Sequence, residues 1–265
     1  MSRNNILFLV IDNQMDFMDY DHSALRVPGA NEDTKRICSL INKVNPKTIL
    51  ATQDSHYSFC ISHCSWWTNA DGTPVTQPFQ FVTSADVKNG KFVARYDPIG
   101  SLAYLEALEA QGEFTHFLWP DHCIMGTPGH AFQPDFSEAL KQWSVRNMAW
   151  PLLQMKGQDP RTESFGVFRA NIPNANPATQ VNQGLIQQIA SHDQVMLMGQ
   201  AYTHCDLNSL KQLLEIEPSL ANKVSLVTDC MSPVLGLPDD FYQMVEDQYK
   251  KFFSQGVKTV KSTDL

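Results

Sequence analysis

The sequence has no basic surplus, no long apolar run and no internal repeat. Its 265 residues carry 20 lysines and arginines against 28 aspartates and glutamates, a formal net charge of −8. Without a cationic excess to neutralise phosphate, nucleic acid and anionic membrane are excluded as main partners. No stretch reaches the ~20 apolar residues of a membrane-spanning helix. The opening MSRNNILFLVIDNQ has a short apolar run, closed at once by Asp12 and Asp16, and no small-residue cleavage site of a secretory leader. A soluble, cytoplasmic protein is expected. Low-complexity tracts and a clear linker are missing too, so one domain over residues 1–265 is expected. Cysteine is sparse, at positions 38, 60, 64, 123, 205 and 230. In a chain this long with no visible export signal those six imply free thiols rather than a disulfide framework.

Apolar residues make up 43% and charged residues 18%, enough for a real core. Residues 6–11 form a continuous apolar run ending in an acid, as a central parallel strand buried on both faces does. Asn31 or Asp33 can cap a helix with Ile37, Leu40 and Ile41 on one face, stopped by Pro46. Further strands are predicted at 48–52, 114–119, 195–198, 224–227 and 257–260, with helices at 102–108, 184–190 and 207–214. Strands alternating with helices predict a three-layer α-β-α fold around a mostly parallel sheet of about six strands. Residues 57–113 and 130–170 exceed this minimal unit and read as an insertion and a long loop excursion, places where lids or subunit contacts are often built.

In an open parallel sheet the ligand site lies at the carboxyl ends of the strands. Those ends carry Asp12, then Gln53-Asp54-Ser55-His56, then Trp119-Pro120-Asp121-His122-Cys123, then Gly199-Gln200-Ala201-Tyr202-Thr203-His204-Cys205. Cys205 follows a strand and a glycine turn and precedes a helix, whose N-terminal dipole and free N–H groups favour thiolate and can hold an oxyanion. Position alone leaves it equally readable as a buried inert thiol. Asp12, a carboxylate at a buried strand end, suits the base that takes the thiol proton, or else a loop hydrogen-bonding residue. Asp54 and His56 are two apart in an extended segment, so their side chains point the same way. With His122 they make a plausible first set of ligands for a divalent metal, and His63 could be a further one. His56, Cys60, His63 and Cys64 also resemble a structural zinc cluster, ranked lower because the set is too crowded to reach one ion comfortably.

Four blocks together, LFLVIDNQMDF, ATQDSH, LWPDHCIMGTPG and MLMGQAYTHC, resemble the nicotinamidases among the isochorismatase-like hydrolases. The order matches and the blocks span most of the chain. The third block is the most specific. The resemblance implies the isochorismatase-like fold and a catalytic Asp-Lys-Cys set. Asp12 and Cys205 match its first and last members, and Lys156, in Gln154-Met155-Lys156-Gly157, matches the lysine. It further implies a cis peptide between Gln200 and Ala201 and an oxyanion hole made of the Ala201 and Cys205 N–H groups. One divalent ion would be held by Asp54, His56 and His122, with zinc first and manganese or iron as alternatives. His63 sits about where some members place an extra histidine ligand. Phe17 and Trp119 would flank the substrate ring, with Gln200 and Tyr202 as further substrate-binding candidates. Tyr202 and Thr203 depart from the family, which commonly has Thr and then an acid there.

The implied reaction is hydrolysis of nicotinamide to nicotinate and ammonia through a cysteine thioester, a step of pyridine nucleotide salvage. The alternatives are another small amide, such as an N-carbamoyl or ureido compound, on the same triad, or a non-catalytic metal- or ligand-binding relative. Vinyl ether hydrolysis of the isochorismatase type is disfavoured because it does not require Cys205. The expected partner is a small carboxamide, and a homo-oligomer is left open.

Overall fold

The protein is described over residues 5–112 and 115–265 of a computed structural model. The chain opens with Ile6–Ile11 (β1), all six residues buried. Ala30–Val44 (α1) follows, entered through Gly29 and closed by Asn45, both left-handed, ahead of Pro46. Gly29 therefore takes the capping position expected of Asn31 or Asp33. Asn31 instead accepts a hydrogen bond from the Asp19 N–H (3.0 Å), and Asp33 lies in the first turn, where a carboxylate suits the helix dipole.

Next come Thr48–Asp54 (β2), Trp67–Asn69 (β3), Gln80–Phe81 (β4), Ser84–Lys88 (α2), Phe92–Ala94 (β5), Pro98–Ala110 (α3), Phe117–Leu118 (β6) and Pro134–Asn147 (α4). Leu152–Lys156 (β7), Gln183–Ala190 (α5), Gln194–Gln200 (β8), Leu207–Ile216 (α6), Val224–Ser232 (β9), Asp239–Ser254 (α7) and Lys258–Val260 (β10) complete the order.

Six strands form one sheet in the order β10-β9-β8-β1-β2-β7, with every pairing parallel. Alternation along β1 sorts the core into two layers. Leu7, Leu9 and Ile11 pack with α5, α6 and α7 through Ile189, Leu210, Leu213 and Tyr249. Ile6, Phe8 and Val10 pack with α1 and α4 through Ile37, Ile41, Phe136 and Trp143. The three-layer α-β-α architecture follows from that two-sided burial.

One predicted strand is corrected. The described part of the run 114–119 does not enter this sheet. Phe114 lies outside the described residues, and Phe117–Leu118 pairs antiparallel with β4 in a separate two-stranded ribbon. The sixth strand of the main sheet is β7, inside the stretch 130–170 expected to be a loop excursion, which also holds α4. As an edge strand, β7 leaves Leu153 and Met155 substantially exposed, so it lacks the buried run that marks β1. Residues 57–112 hold β3, α2, β5 and α3 and gather their own apolar cluster around Trp66, Trp67, Tyr104 and Leu105.

Candidate active site

The parallel registers bring four strand ends together. Ile11 pairs with Gly199, and Asp54 pairs with Lys156. Asp12 therefore emerges between the end of β8 and the end of β2. Gly199 is required there: its φ is +133°, and a Cβ would collide with the Ile11 carbonyl oxygen. Asp12 itself adopts a left-handed φ of 44°, held from both ends by one residue. Its N–H donates to Thr52 Oγ1 (2.9 Å), and the Thr52 hydroxyl donates to Asp12 Oδ1 (2.5 Å).

After the cis Gln200–Ala201 peptide the chain makes a π-helical turn over Tyr202–Asp206 and runs into α6. The Ala201 carbonyl accepts the N–H groups of His204 (2.9 Å) and Asp206 (3.2 Å). Thr203 Oγ1 accepts the Val234 N–H (3.1 Å), so a hydroxyl ties this unusual turn to the loop after β9.

Lys156, at the end of β7, lies at the centre. Its Nζ is 3.0 Å from Asp12 Oδ2, 3.1 Å from Asp54 Oδ1 and 3.5 Å from Cys205 Sγ. All four side chains are buried. Burial alone would strip Lys156 of its charge, but Asp12, Asp54 and Cys205 outweigh it and hold the ammonium well above the usual lysine range. Burial raises Asp12, against the lowering effect of Lys156. Burial also pushes the Cys205 thiol well up. Lys156 pulls it down, while Asp12 and Asp54 push it up again. Burial therefore opposes the thiolate that Lys156 and the helix N-terminus favour at Cys205.

Asp54 joins this centre to a second one. Its Oδ1 faces Lys156 while its Oδ2 lies 3.2 Å from His56 Nε2 and 3.4 Å from His122 Nε2. His56, His63 and His122 form a buried cluster whose ligand atoms lie within 4.8 Å of one another, and the three could hold a metal ion. The spacing fits one, since two bonds of ~2.0–2.1 Å at a tetrahedral angle set donors about 3.4 Å apart. Of the buried ring nitrogens, His56 Nε2 has only its ion-pair contact with Asp54 and His63 Nδ1 lies 3.9 Å from Asp121, so both are left with capacity for an ion. Burial would raise Asp54, yet His56 and Lys156 keep its carboxyl well below the ordinary range. The crowded zinc cluster through Cys60 and Cys64 is not formed. Cys60 lies against His56 Nδ1, the far edge of that ring, and Cys64 Sγ is directed at the Trp119 carbonyl (3.9 Å).

A cavity of about 20 Å³ opens beside Cys205, with Phe17, Trp119, His122, Phe165, Ala201 and His204 among its walls. It has room for about one water. An outer chamber of about 290 Å³ shares the Trp119, Phe165 and His204 walls. Phe17 and Trp119 line the inner cavity. Gln200 and Tyr202 are not among its walls. The Gln200 amide donates to Asp33 Oδ2 (3.0 Å) on the α1 side of the sheet. Tyr202 stacks on Tyr249 of α7 and donates to Glu246 (3.2 Å).

His204 and Phe165 were missed. His204 meets Trp119 edge-on with centroids 5.0 Å apart, and burial pushes it down to about 3, so it is a neutral aromatic wall. Its place one residue before Cys205 was the available signal. Phe165 lies in the stretch 163–168, which resembles the Ser and aromatic residues that follow the family's lysine, but it was given no role.

No family model and no curated protein matches this sequence. Solved structures do share its fold. The Acinetobacter baumanii nicotinamidase/pyrazinamidase superposes with a TM-score of 0.66 at 21% identity, covering 100% of this chain and 99% of that one. A yeast nicotinamidase bound to the inhibitor nicotinaldehyde gives 0.64 at 17% identity, covering 97% and 99%. A Pyrococcus horikoshii pyrazinamidase in complex with zinc gives 0.56 at 19% identity, covering 97% and 99%. At such identities the likeness is one of fold.

Proposed function

We propose that this chain, which has the isochorismatase-like hydrolase fold, is a cysteine amidohydrolase that converts nicotinamide to nicotinate and ammonia. The observation that carries the reading is the single ammonium of Lys156 in contact with Asp12, Asp54 and Cys205, the last two of which line a small cavity. A buried thiol needs a nearby acceptor for its proton, and Asp12 is that acceptor.

Asp12 takes the S–H proton of Cys205 as the sulfur attacks the carboxamide carbon. The carbonyl electron pair moves onto oxygen, where the N–H groups of Ala201 and Cys205 stabilise it. Collapse breaks the C–N bond, and Asp12 returns the proton to the departing ammonia. Water then attacks the thioester, giving up a proton to Asp12, and the acid leaves as Cys205 is reprotonated. Lys156 stays charged throughout and offsets the negative charge that passes between Asp12 and the sulfur.

A divalent ion held by Asp54, His56 and His122, with His63 beside it, would supply a Lewis-acid contact that orients a ring nitrogen of the substrate. Phe17 and Trp119 flank the ring. A one-water cavity does not hold a pyridine, so entry displaces the Trp119, Phe165 and His204 wall toward the outer chamber. Of the solved structures that share the fold, one carries nicotinaldehyde and another zinc, which supports the choice of substrate class and ion.

The test is ammonia release from a panel of carboxamides by zinc-replete protein, with trapping of an acyl-enzyme by mass spectrometry. Nicotinamide is expected to be the preferred substrate, with the acyl mass on Cys205. Turnover of ureido or N-carbamoyl compounds in preference to nicotinamide would replace the substrate. Absence of turnover across the panel would end the amidase reading.

A further inference from the structure

Two of the clustered histidines have their outer ring nitrogen held, by different groups. His122 Nδ1 donates to the Pro120 carbonyl oxygen (2.8 Å). His56 Nδ1 lies 3.3 Å from Cys60 Sγ, which in turn lies 3.1 Å from Ser62 Oγ. His56 and Cys60 are each 1% exposed and Ser62 is fully buried, so no solvent competes for these contacts. The opposite atoms, the Nε2 of both rings, converge on Asp54 Oδ2. A neutral imidazole has one N–H and one lone pair, and the group that accepts the N–H decides where the lone pair points.

We propose that Cys60 is a positioning residue for the metal site: its sulfur accepts the Nδ1–H of His56 and its S–H is donated to Ser62 Oγ, which aims the Nε2 lone pair at the place where Asp54 and His122 converge. This rests on reading the histidine cluster as a metal site. Cys60 performs through a thiol what a backbone carbonyl performs for His122, and it is not itself a ligand, because it lies on the edge of the ring that faces away from the other donors. A partner that orients a ligating histidine is worth ~10–100-fold in metal affinity. Sulfur reaches farther than oxygen and accepts more weakly, so a shorter hydroxyl there would meet the ring less well. His63 has no such support: its Nδ1 has no hydrogen-bond partner and its Nε2 lies 3.2 Å from His122 Nδ1.

The experiment is zinc affinity by competition with a chromophoric chelator for wild type, Cys60→Ala and Cys60→Ser, with cobalt(II) spectra of the same proteins. Wild type is expected to bind one equivalent. Cys60→Ala should bind about 10–100-fold more weakly and Cys60→Ser between the two. The cobalt spectra should show no thiolate-to-metal charge-transfer band. Unchanged affinity in both variants overturns the positioning role. A charge-transfer band in wild type that Cys60→Ala abolishes makes Cys60 a ligand and overturns it as well. Wild type that binds no zinc at all defeats the metal site itself, and this inference with it. Should Cys60→Ala fail to fold, the zinc affinity of Cys60→Ser decides: weaker binding than wild type supports the proposal and unchanged binding overturns it.

Discussion

The lysine-centred cluster and the histidine cluster share Asp54 but are built differently. Asp12, Asp54 and Lys156 sit at the ends of adjacent parallel strands of the main sheet, where the ladder sets their spacing. Their charges are ion-paired with no ligand present. Of the histidines only His56 follows a main-sheet strand. His63 and His122 come from segments beside the small ribbon, joined by an isolated bridge between His63 and Trp119. Two of their buried nitrogens have no hydrogen-bond partner. The first centre holds its own balancing cation, Lys156, and the second gathers three imidazoles that could hold a metal ion. Damage to the first should therefore appear in folding and chemistry, and damage to the second in ligand binding.

The largest expected effect is on turnover. Cys205→Ala should lower amide hydrolysis by about four orders of magnitude or more while leaving the melting temperature near that of wild type. Ammonia release at the wild-type rate would remove the sulfur from the reaction. Next is Lys156→Ala, which leaves two buried carboxylates facing each other with no cation. It should cost about 3–5 kcal/mol of stability as well as activity, read by urea denaturation. If it cost no more than His122→Ala, the contrast between the two clusters would fail. His122→Ala should stay within about 2 kcal/mol of metal-free wild type but lose the stabilisation that zinc supplies. For wild type that stabilisation is about 2.7 kcal/mol at a free zinc concentration 100 times Kd. A His122→Ala protein that zinc stabilises as strongly as wild type would exclude His122 from the site.

The smallest expected effect is a pH dependence at Asp206. Burial, reinforced by Asp12 and Asp33, raises its carboxyl well above the usual aspartate range, and neither oxygen has a hydrogen-bond partner. An acid with a raised folded pKa holds its proton more tightly when folded. Its contribution is complete below the unfolded pKa of ~3.9 and is lost as pH rises through the folded value. Asp206→Asn should therefore flatten the decline of stability with pH above that point. Parallel pH–stability curves for the two proteins would show that Asp206 does not titrate in this way.

Much of the fold was legible because burial on two faces leaves a mark in the chain. β1 was read with its true limits, and β2, β8, β9 and β10 were recognised with shorter or shifted ends. β7 was not, because an edge strand buries one face only and LLQMK has no apolar run to set it apart. Phe117 and Trp119 misled for the converse reason. They are apolar because they pack edge-on against each other, centroids 4.9 Å apart, and not because they lie in the sheet. Helices α4 and α7 also went unread. Within the site, Asp12, Asp54, His56 and Cys205 were visible from their places at strand ends. Lys156 came only through family resemblance, since a lone lysine in an unrecognised strand looks like any solvated one.

The sequence by itself determined which residues stand at the ends of buried strands, because two-sided burial demands continuous apolar runs and the polar residue that ends each run is visible. Tertiary structure alone decided which of those residues meet. The register of β2 against β7 sets Lys156 beside Asp54, the turn after β8 directs Gln200 to Asp33 and Tyr202 to Tyr249, and burial pushes the Cys205 thiol up. These outcomes depend on distances between segments far apart in the chain and on how fully water is excluded, neither of which is a local property of the sequence.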